Sequence, residues 1–189
     1  MLLARVVAYA GLSAGIIAVE LALASRTRSG GRRPLAVLTD QLMIFSTVVS
    51  LGFGLAGSLV FRPALIQPAW LVLAFGLTAG VAGLGLRAIA IRTLGREYTL
   101  TPRAEPQQEL ISTGLYRLVR HPGYAGILLS ILGLQAILGT WLAVLSTLLV
   151  VLAVPVRIRV EEDLLVERFG HEYDEYRSRT RYRLLPGLY

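Results

Sequence analysis

Two short stretches hold most of the groups able to do chemistry. The first, YRLVRHPGYAG over residues 116–126, sets two arginines, a histidine and two tyrosines in front of an apolar run. His121 precedes Pro122, which biases it away from helical dihedrals, while Pro122 suits the first position of a helix. A helix entrance offers unpaired amides and partial positive charge, a setting for a carboxylate or another anionic group. Tyr124 follows three residues later and can share the face of His121, and Gly126 removes a side chain where something can approach closely. The second stretch, RIRVEEDLL over residues 157–165, has Arg157 four residues before Glu161, so the two stack on one helix face. Adjacent Glu161 and Glu162 beside apolar sequence are costly unless they meet a cation. Together the stretches offer glutamate for an ammonium, helix amides for a carboxylate, and tyrosine for an aromatic ring: the needs of a zwitterionic ligand. The same residues also read as headgroup-binding arginines, interfacial anchors and an ordinary helical ion pair.

The elements that must position these groups are membrane helices. Of the 189 residues, 54% are hydrophobic and 16% charged, and the mean hydropathy is +0.62, which is outside the range of a soluble domain. Residues 2–24, 41–61 and 69–91 are apolar runs long enough, at about 1.5 Å per residue, to cross a hydrocarbon core of roughly 30 Å. Ala22 to Ala24 resembles a cleavage site, yet the four arginines of SRTRSGGRR follow at once, which predicts a retained helix with that end in the cytoplasm. After residue 91 the chain turns polar. Two shorter runs, 124–138 and 141–156, separated by Gly139 and Thr140, predict a tight helical hairpin, with Pro155 near the end of its second arm. The rest is a charged amphipathic tail in which Ile158, Leu165 and Phe169 recur at helical spacing before Gly170. The expected fold is therefore all-α, a multi-pass integral membrane protein of about five helices with a short hairpin between the fourth and fifth. Three helices occupy residues 1–91, and a cofactor-binding region occupies 92–189 of one continuous membrane domain.

Charge placement supports that count. The net charge is +7, carried by nineteen arginines and no lysine. Five crossings gather the arginines of 26–33, 92–120 and the tail on one side and leave Arg5 and Arg62 on the other, so the N-terminus is expected outside and the C-terminus in the cytoplasm of an inner or plasma membrane. The arginines flank apolar runs without interleaved aromatics, which favours anionic headgroups over nucleic acid. With no cysteine and two histidines far apart, no metal centre is expected. The small residues at 76, 79, 80, 83 and 85 predict close helix packing, or else a surface shaped for a ligand.

The run GLYRLVRHPGYAG, followed after the hairpin by EEDLL and FGHEYDEYRSR, resembles the isoprenylcysteine carboxyl methyltransferase and phospholipid methyltransferase superfamily over roughly residues 80–189. The resemblance implies an integral membrane enzyme that uses S-adenosyl-L-methionine, with its cofactor pocket at the cytoplasmic side and a lateral opening for a lipophilic or prenylated substrate. Residue by residue, it implies that Gln108, Glu109, Leu110, Ile111, Tyr116, His121, Pro122, Gly123 and Tyr124 surround the cofactor, with Glu161 and its neighbour Glu162 across the hairpin. Arg157 matches an arginine that faces the substrate's carboxylate, and Arg157 and Glu161 are the expected catalytic pair. Gly83 to Gly85 resembles a motif near the cofactor, and Arg179, Tyr173 and Tyr176 are candidates to close the pocket or to anchor the surface.

Methyl transfer from a sulfonium is an in-line displacement that needs alignment and a desolvated nucleophile. A carboxylate acceptor requires no general base, whereas an amine or thiol leaves Glu161, Glu162 or His121 to take the proton. Isoprenylcysteine-type O-methylation is the favoured expectation. Phospholipid or amine N-methylation, an NADPH-dependent reductase resembling the steroid reductases, and a non-catalytic scaffold or transporter are the other readings.

Overall fold

A computed structural model of the chain describes residues 2–24, 34–60, 66–95 and 109–187. Among them run seven α-helices: α1 Leu2–Ala24, α2 Pro34–Val60, α3 Ala69–Leu94, α4 Pro122–Leu138, α5 Trp141–Ser146, α6 Leu148–Phe169 and α7 His171–Arg179, with a 3-10 turn at Gly114–Arg117. Among the described residues three stretches are long and apolar enough to cross a membrane: Pro34–Val60, Ala69–Leu94 and Trp141–Phe169, the last being α5 and α6 taken together. Leu3–Val19 and Pro122–Leu138 are apolar but shorter.

Two boundaries differ from the expected ones, for related reasons. Helix α2 begins at Pro34 rather than near residue 41. Proline suits a first turn, and the polar residues that follow face the protein: Thr39 is 3% exposed and Asp40 pairs with Arg157. The second arm of the hairpin breaks at Thr147 and then continues to Phe169 through Pro155. The charged segment expected as a separate tail is thus the last turns of α6, and Gly170 ends it at φ 50°.

The tightest contact is between α3 and α4, which run antiparallel. Gly76, Gly80 and Gly83 of α3 lie against Gly133, Ser130 and Gly126 of α4. A Cβ on Gly76 would stand 2.8 Å from the Gly133 carbonyl, and one on Gly133 would run into the Gly80 backbone. The small residues therefore serve close approach, although Gly85 faces open space. Helix α1 lies alongside this pair, Leu12 against Gly80 and Leu84 against Gly15. Its Arg5 is buried and donates to the Leu138 carbonyl at 3.2 Å. Gly139 turns the hairpin at φ 70°, where an added Cβ would also meet the Arg5 guanidinium.

Helix α2 packs antiparallel on α5 and α6. Fully buried Gln135 of α4 donates to the Ser50 carbonyl at 2.7 Å, and Ser146 of α5 donates to the same carbonyl at 3.0 Å. Such interhelical bonds replace hydrophobic attraction where lipid is the solvent. The apolar core, Ile127, Ile131, Leu134, Val150, Val154 and Ile158 among others, fills the centre, while Phe45, Val48, Phe53 and Leu152 point outward. Successive long helices alternate in direction. The start of α2, the end of α3, the start of α4 and the end of α6 consequently meet at one end of the bundle.

Candidate active site

At that end α6 presents two adjacent carboxylates to two different networks. Glu161 accepts a hydrogen bond from the Tyr124 hydroxyl at 2.7 Å. The same hydroxyl accepts from Arg157 Nε at 3.1 Å. Arg157 in turn donates through Nη1 to Thr39 Oγ1 at 3.0 Å and pairs through Nη2 with Asp40 Oδ1 at 2.9 Å. Its side chain is 2% exposed. A guanidinium that deep requires a counter-charge and oriented acceptors, and α2 and α4 supply both.

Glu162, one residue on, is gripped by cations. Arg120 Nε donates to its Oε1 at 2.8 Å, and Arg183 reaches its Oε2 through Nη2 at 2.6 Å and Nε at 2.9 Å. His121 Nε2 lies 3.3 Å from Oε1. Arg120 also donates through Nη1 to the Thr180 and Arg181 carbonyls, both at 2.8 Å. The backbone repeats the pattern, with the Arg120 amide on the Tyr182 carbonyl at 2.9 Å and the His121 amide on the Arg183 carbonyl at 2.8 Å. The tail is thereby strapped across the approach to α4.

The approach itself is built as its residue types require. Among the described residues no side chain caps α4, and Pro122 stands at its first turn. Arg87, buried in the last turns of α3, donates to the Gly123 carbonyl at 3.1 Å. The Tyr176 hydroxyl donates to the Tyr116 carbonyl at 2.7 Å, tying α7 to the 3-10 turn. Tyr173 is also buried, and its hydroxyl has no hydrogen-bond partner among the described residues. Burial pushes both phenols well above their usual range, so neither ionises near neutral pH.

Tyr116, His121, Pro122, Gly123, Tyr124, Arg157, Glu161 and Glu162 are thus brought together around the start of α4. Leu110 and Ile111 are half-buried just ahead of the 3-10 turn, Glu109 is exposed, and Gln108 lies outside the described residues. Arg179 points outward and pairs with Glu175 at 3.1 Å. Sequence reasoning missed Thr39, Asp40, Arg87 and Arg183. The one signal available for Asp40 was a lone acid just before an apolar run, and for Arg87 a lone arginine inside one.

Beside the Glu161 network two grooves open along the seam of α2 and α6. One of about 250 Å³ is apolar, lined by Leu42, Phe45, Val49, Leu149 and Leu152. Its wall includes Ala153, one helical turn from Arg157. The other, about 210 Å³, is lined by Leu35, Ala36, Val160, Asp163 and Leu164.

Comparison with known proteins gives this geometry a setting. Residues 71–172 match the family described as Phospholipid methyltransferase. A probable protein-S-isoprenylcysteine O-methyltransferase of Oryza sativa subsp. indica is 35% identical over 157 residues, covering 79% of this chain and 81% of that protein. Protein-S-isoprenylcysteine O-methyltransferase B of Arabidopsis thaliana is 37% identical over 125 residues, covering 65% and 63%. The solved structure of a eukaryotic intramembrane Ras methyltransferase, an isoprenylcysteine carboxyl methyltransferase, superposes with a TM-score of 0.64 at 28% identity, over 77% of this chain. This chain spans 52% of the length of that one. Thr39, Asp40 and Arg183 lie outside the matched residues 71–172.

Proposed function

Because the chain belongs to the phospholipid methyltransferase family and is a methyltransferase, we propose that it transfers a methyl group from S-adenosyl-L-methionine to the carboxylate of an isoprenylcysteine-type lipid at the cytoplasmic membrane face. The observation that carries the reading is Arg157: a buried guanidinium one turn from an apolar groove that opens between lipid-facing helices. A prenyl chain suits the groove, and its terminal carboxylate suits the guanidinium. Membership in a methyltransferase family sets aside the reductase and the scaffold.

The donor set fits the cofactor. Half-buried Glu161 and Tyr124 offer an anion and a ring for its ammonium and adenine, and the start of α4 suits its carboxylate. When bound, the cofactor supplies an electrophilic methyl on a sulfonium. The protein's part is alignment and exclusion of water. Arg157 orients the acceptor's carboxylate, Tyr124 links that guanidinium to Glu161, and no residue has to move a proton. His121 and Glu162 contribute by holding the strap of 180–183 against the start of α4. The cofactor-binding region of 92–189 accordingly works with α2, which provides Asp40 and Thr39.

The alternating helix directions accord with five crossings, and the placement of the arginines favours the N-terminus outside and the C-terminus cytoplasmic. Since the chain has no cysteine, single cysteines placed in 25–33 and at 187 report this directly. Both should react only from the cytoplasmic side, and labelling from opposite sides refutes the arrangement.

The central experiment is transfer of labelled methyl by the purified protein in liposomes to N-acetyl-S-farnesylcysteine, run beside binding of S-adenosylhomocysteine. Methylation of the farnesylcysteine carboxylate is expected, and Glu161→Ala should abolish cofactor binding. The two carboxylates flanking Arg157 favour a lipid amine as second acceptor class, so phosphatidylethanolamine is the comparison. Transfer to it alone sinks the carboxylate reading.

A further inference from the structure

Arg157 is shared before any substrate arrives. Its Nη2 pairs with Asp40 at 2.9 Å, its Nη1 rests on Thr39 at 3.0 Å and its Nε on Tyr124 at 3.1 Å. The Asp40 side chain, at 24% exposed against 2% for Arg157, is the open side of the pair. An arginine that only had to bind an anion would bind it more tightly without a resident carboxylate. We propose that Asp40 is a positioning residue that tempers Arg157, so that the acceptor's carboxylate is oriented by the guanidinium yet stays nucleophilic. This rests on the carboxylate reading given above.

The chemistry requires such a compromise. In the transfer a lone pair on the acceptor's carboxylate oxygen forms the new O–CH3 bond. The S–CH3 bond breaks with its electron pair going to sulfur, which leaves a methyl ester and a neutral thioether, and no proton moves. A carboxylate held in both prongs of an undivided buried guanidinium has its lone pairs committed to charge-assisted hydrogen bonds. The low-dielectric setting strengthens that hold. Tighter binding of this kind stabilises the ground state more than the transition state, in which the oxygen has given up negative charge. Asp40 divides the positive charge of Arg157, and Thr39 beside it on α2 fixes the plane of the fork. The acceptor then meets a weaker, aligned partner.

The test is Asp40→Asn in the full chain in liposomes, with N-acetyl-S-farnesylcysteine as acceptor. Asparagine keeps an acceptor oxygen for Arg157 and removes the charge. The acceptor KM and kcat should both fall about tenfold, leaving kcat/KM near that of wild type, with the KM for S-adenosylmethionine within about twofold. Loosened packing would raise the acceptor KM, so the joint fall separates charge from structure. Asp40→Glu keeps the charge and should stay within about threefold of wild type in both constants. A raised acceptor KM or an unchanged kcat in Asp40→Asn overturns the proposal, and so does a tenfold loss of kcat in Asp40→Glu, which decides alone if the asparagine variant fails to bind S-adenosylhomocysteine. If wild type leaves the farnesylcysteine unmethylated, the carboxylate reading falls and takes this one with it. If wild type methylates it and Asp40→Asn matches wild type, only the tempering role is lost.

Discussion

Glu161 and Glu162 are chemically identical neighbours on α6 with opposite surroundings. Glu162 meets two arginines and a histidine, all from segments that must be held in place: the start of α4 and the strap of 180–183. Among the described residues Glu161 accepts from one phenol, which it shares with a buried arginine that answers to a second acid on α2. A carboxylate surrounded by cations has little capacity left for a ligand. One that receives a single neutral donor retains lone pairs for a cationic group. Adjacent positions on a helix differ by about 100° in direction, enough for one to close the structure while the other faces the chemistry.

The sharpest way to break this contrast is Glu162→Ala. It leaves Arg120 and Arg183 facing one another without their shared anion, and removing one partner of a buried pair costs on the order of 3 kcal/mol. A lowered thermal midpoint and lost S-adenosylhomocysteine binding are expected together, and a stable, cofactor-binding variant would erase the distinction. Arg157→Lys should act on the other side of the contrast. Lysine keeps the charge without the planar fork, so kcat/KM should fall by about 100-fold, near 3 kcal/mol, while cofactor affinity holds. Equal losses in both would make Arg157 a structural residue. Tyr124→Phe removes the hydroxyl between Arg157 and Glu161, with an expected loss of about 1 kcal/mol, or roughly fivefold in rate. No change in rate would uncouple the two groups. The smallest effect belongs to Arg179→Ala. Its pair with Glu175 is exposed, so stability should move by less than about 0.5 kcal/mol. A weakened cofactor dissociation constant would instead return Arg179 to the pocket.

What the amino-acid order makes legible is whatever depends on neighbours. The hairpin at Gly139 and Thr140 follows from two residues, a glycine free to take positive φ and a threonine whose hydroxyl accepts from the Ala143 amide at 3.2 Å. The start of α4 follows from His121 and Pro122. The apolar runs locate the helices, and the order of RHPGY and EEDLL identifies the family. The Asp40–Arg157 pair was invisible because hydropathy adds residues one at a time, whereas a charge near lipid is tolerated only for a partner that lies 117 residues away in the chain. The same limitation hid the early start of α2, where Asp40 meets Arg157, and the continuation of α6, where Glu162 meets Arg120 and Arg183. Arg183 was unreadable for a further reason. It lies beyond the last helix, and the strap's pairing with Arg120 and His121 brings it to Glu162.

Arg5 has a consequence at the far end of the bundle. It lays its guanidinium on the last carbonyl of α4, and a helix of 17 residues is about 25 Å long. The peptide dipoles of that helix sum to roughly half a negative charge at Leu138 and half a positive charge at His121. With the negative pole screened by a buried cation and no side-chain cap at the positive pole among the described residues, the field of α4 is weighted toward its start. What remains of it emerges where the anionic end of a cofactor is proposed to dock.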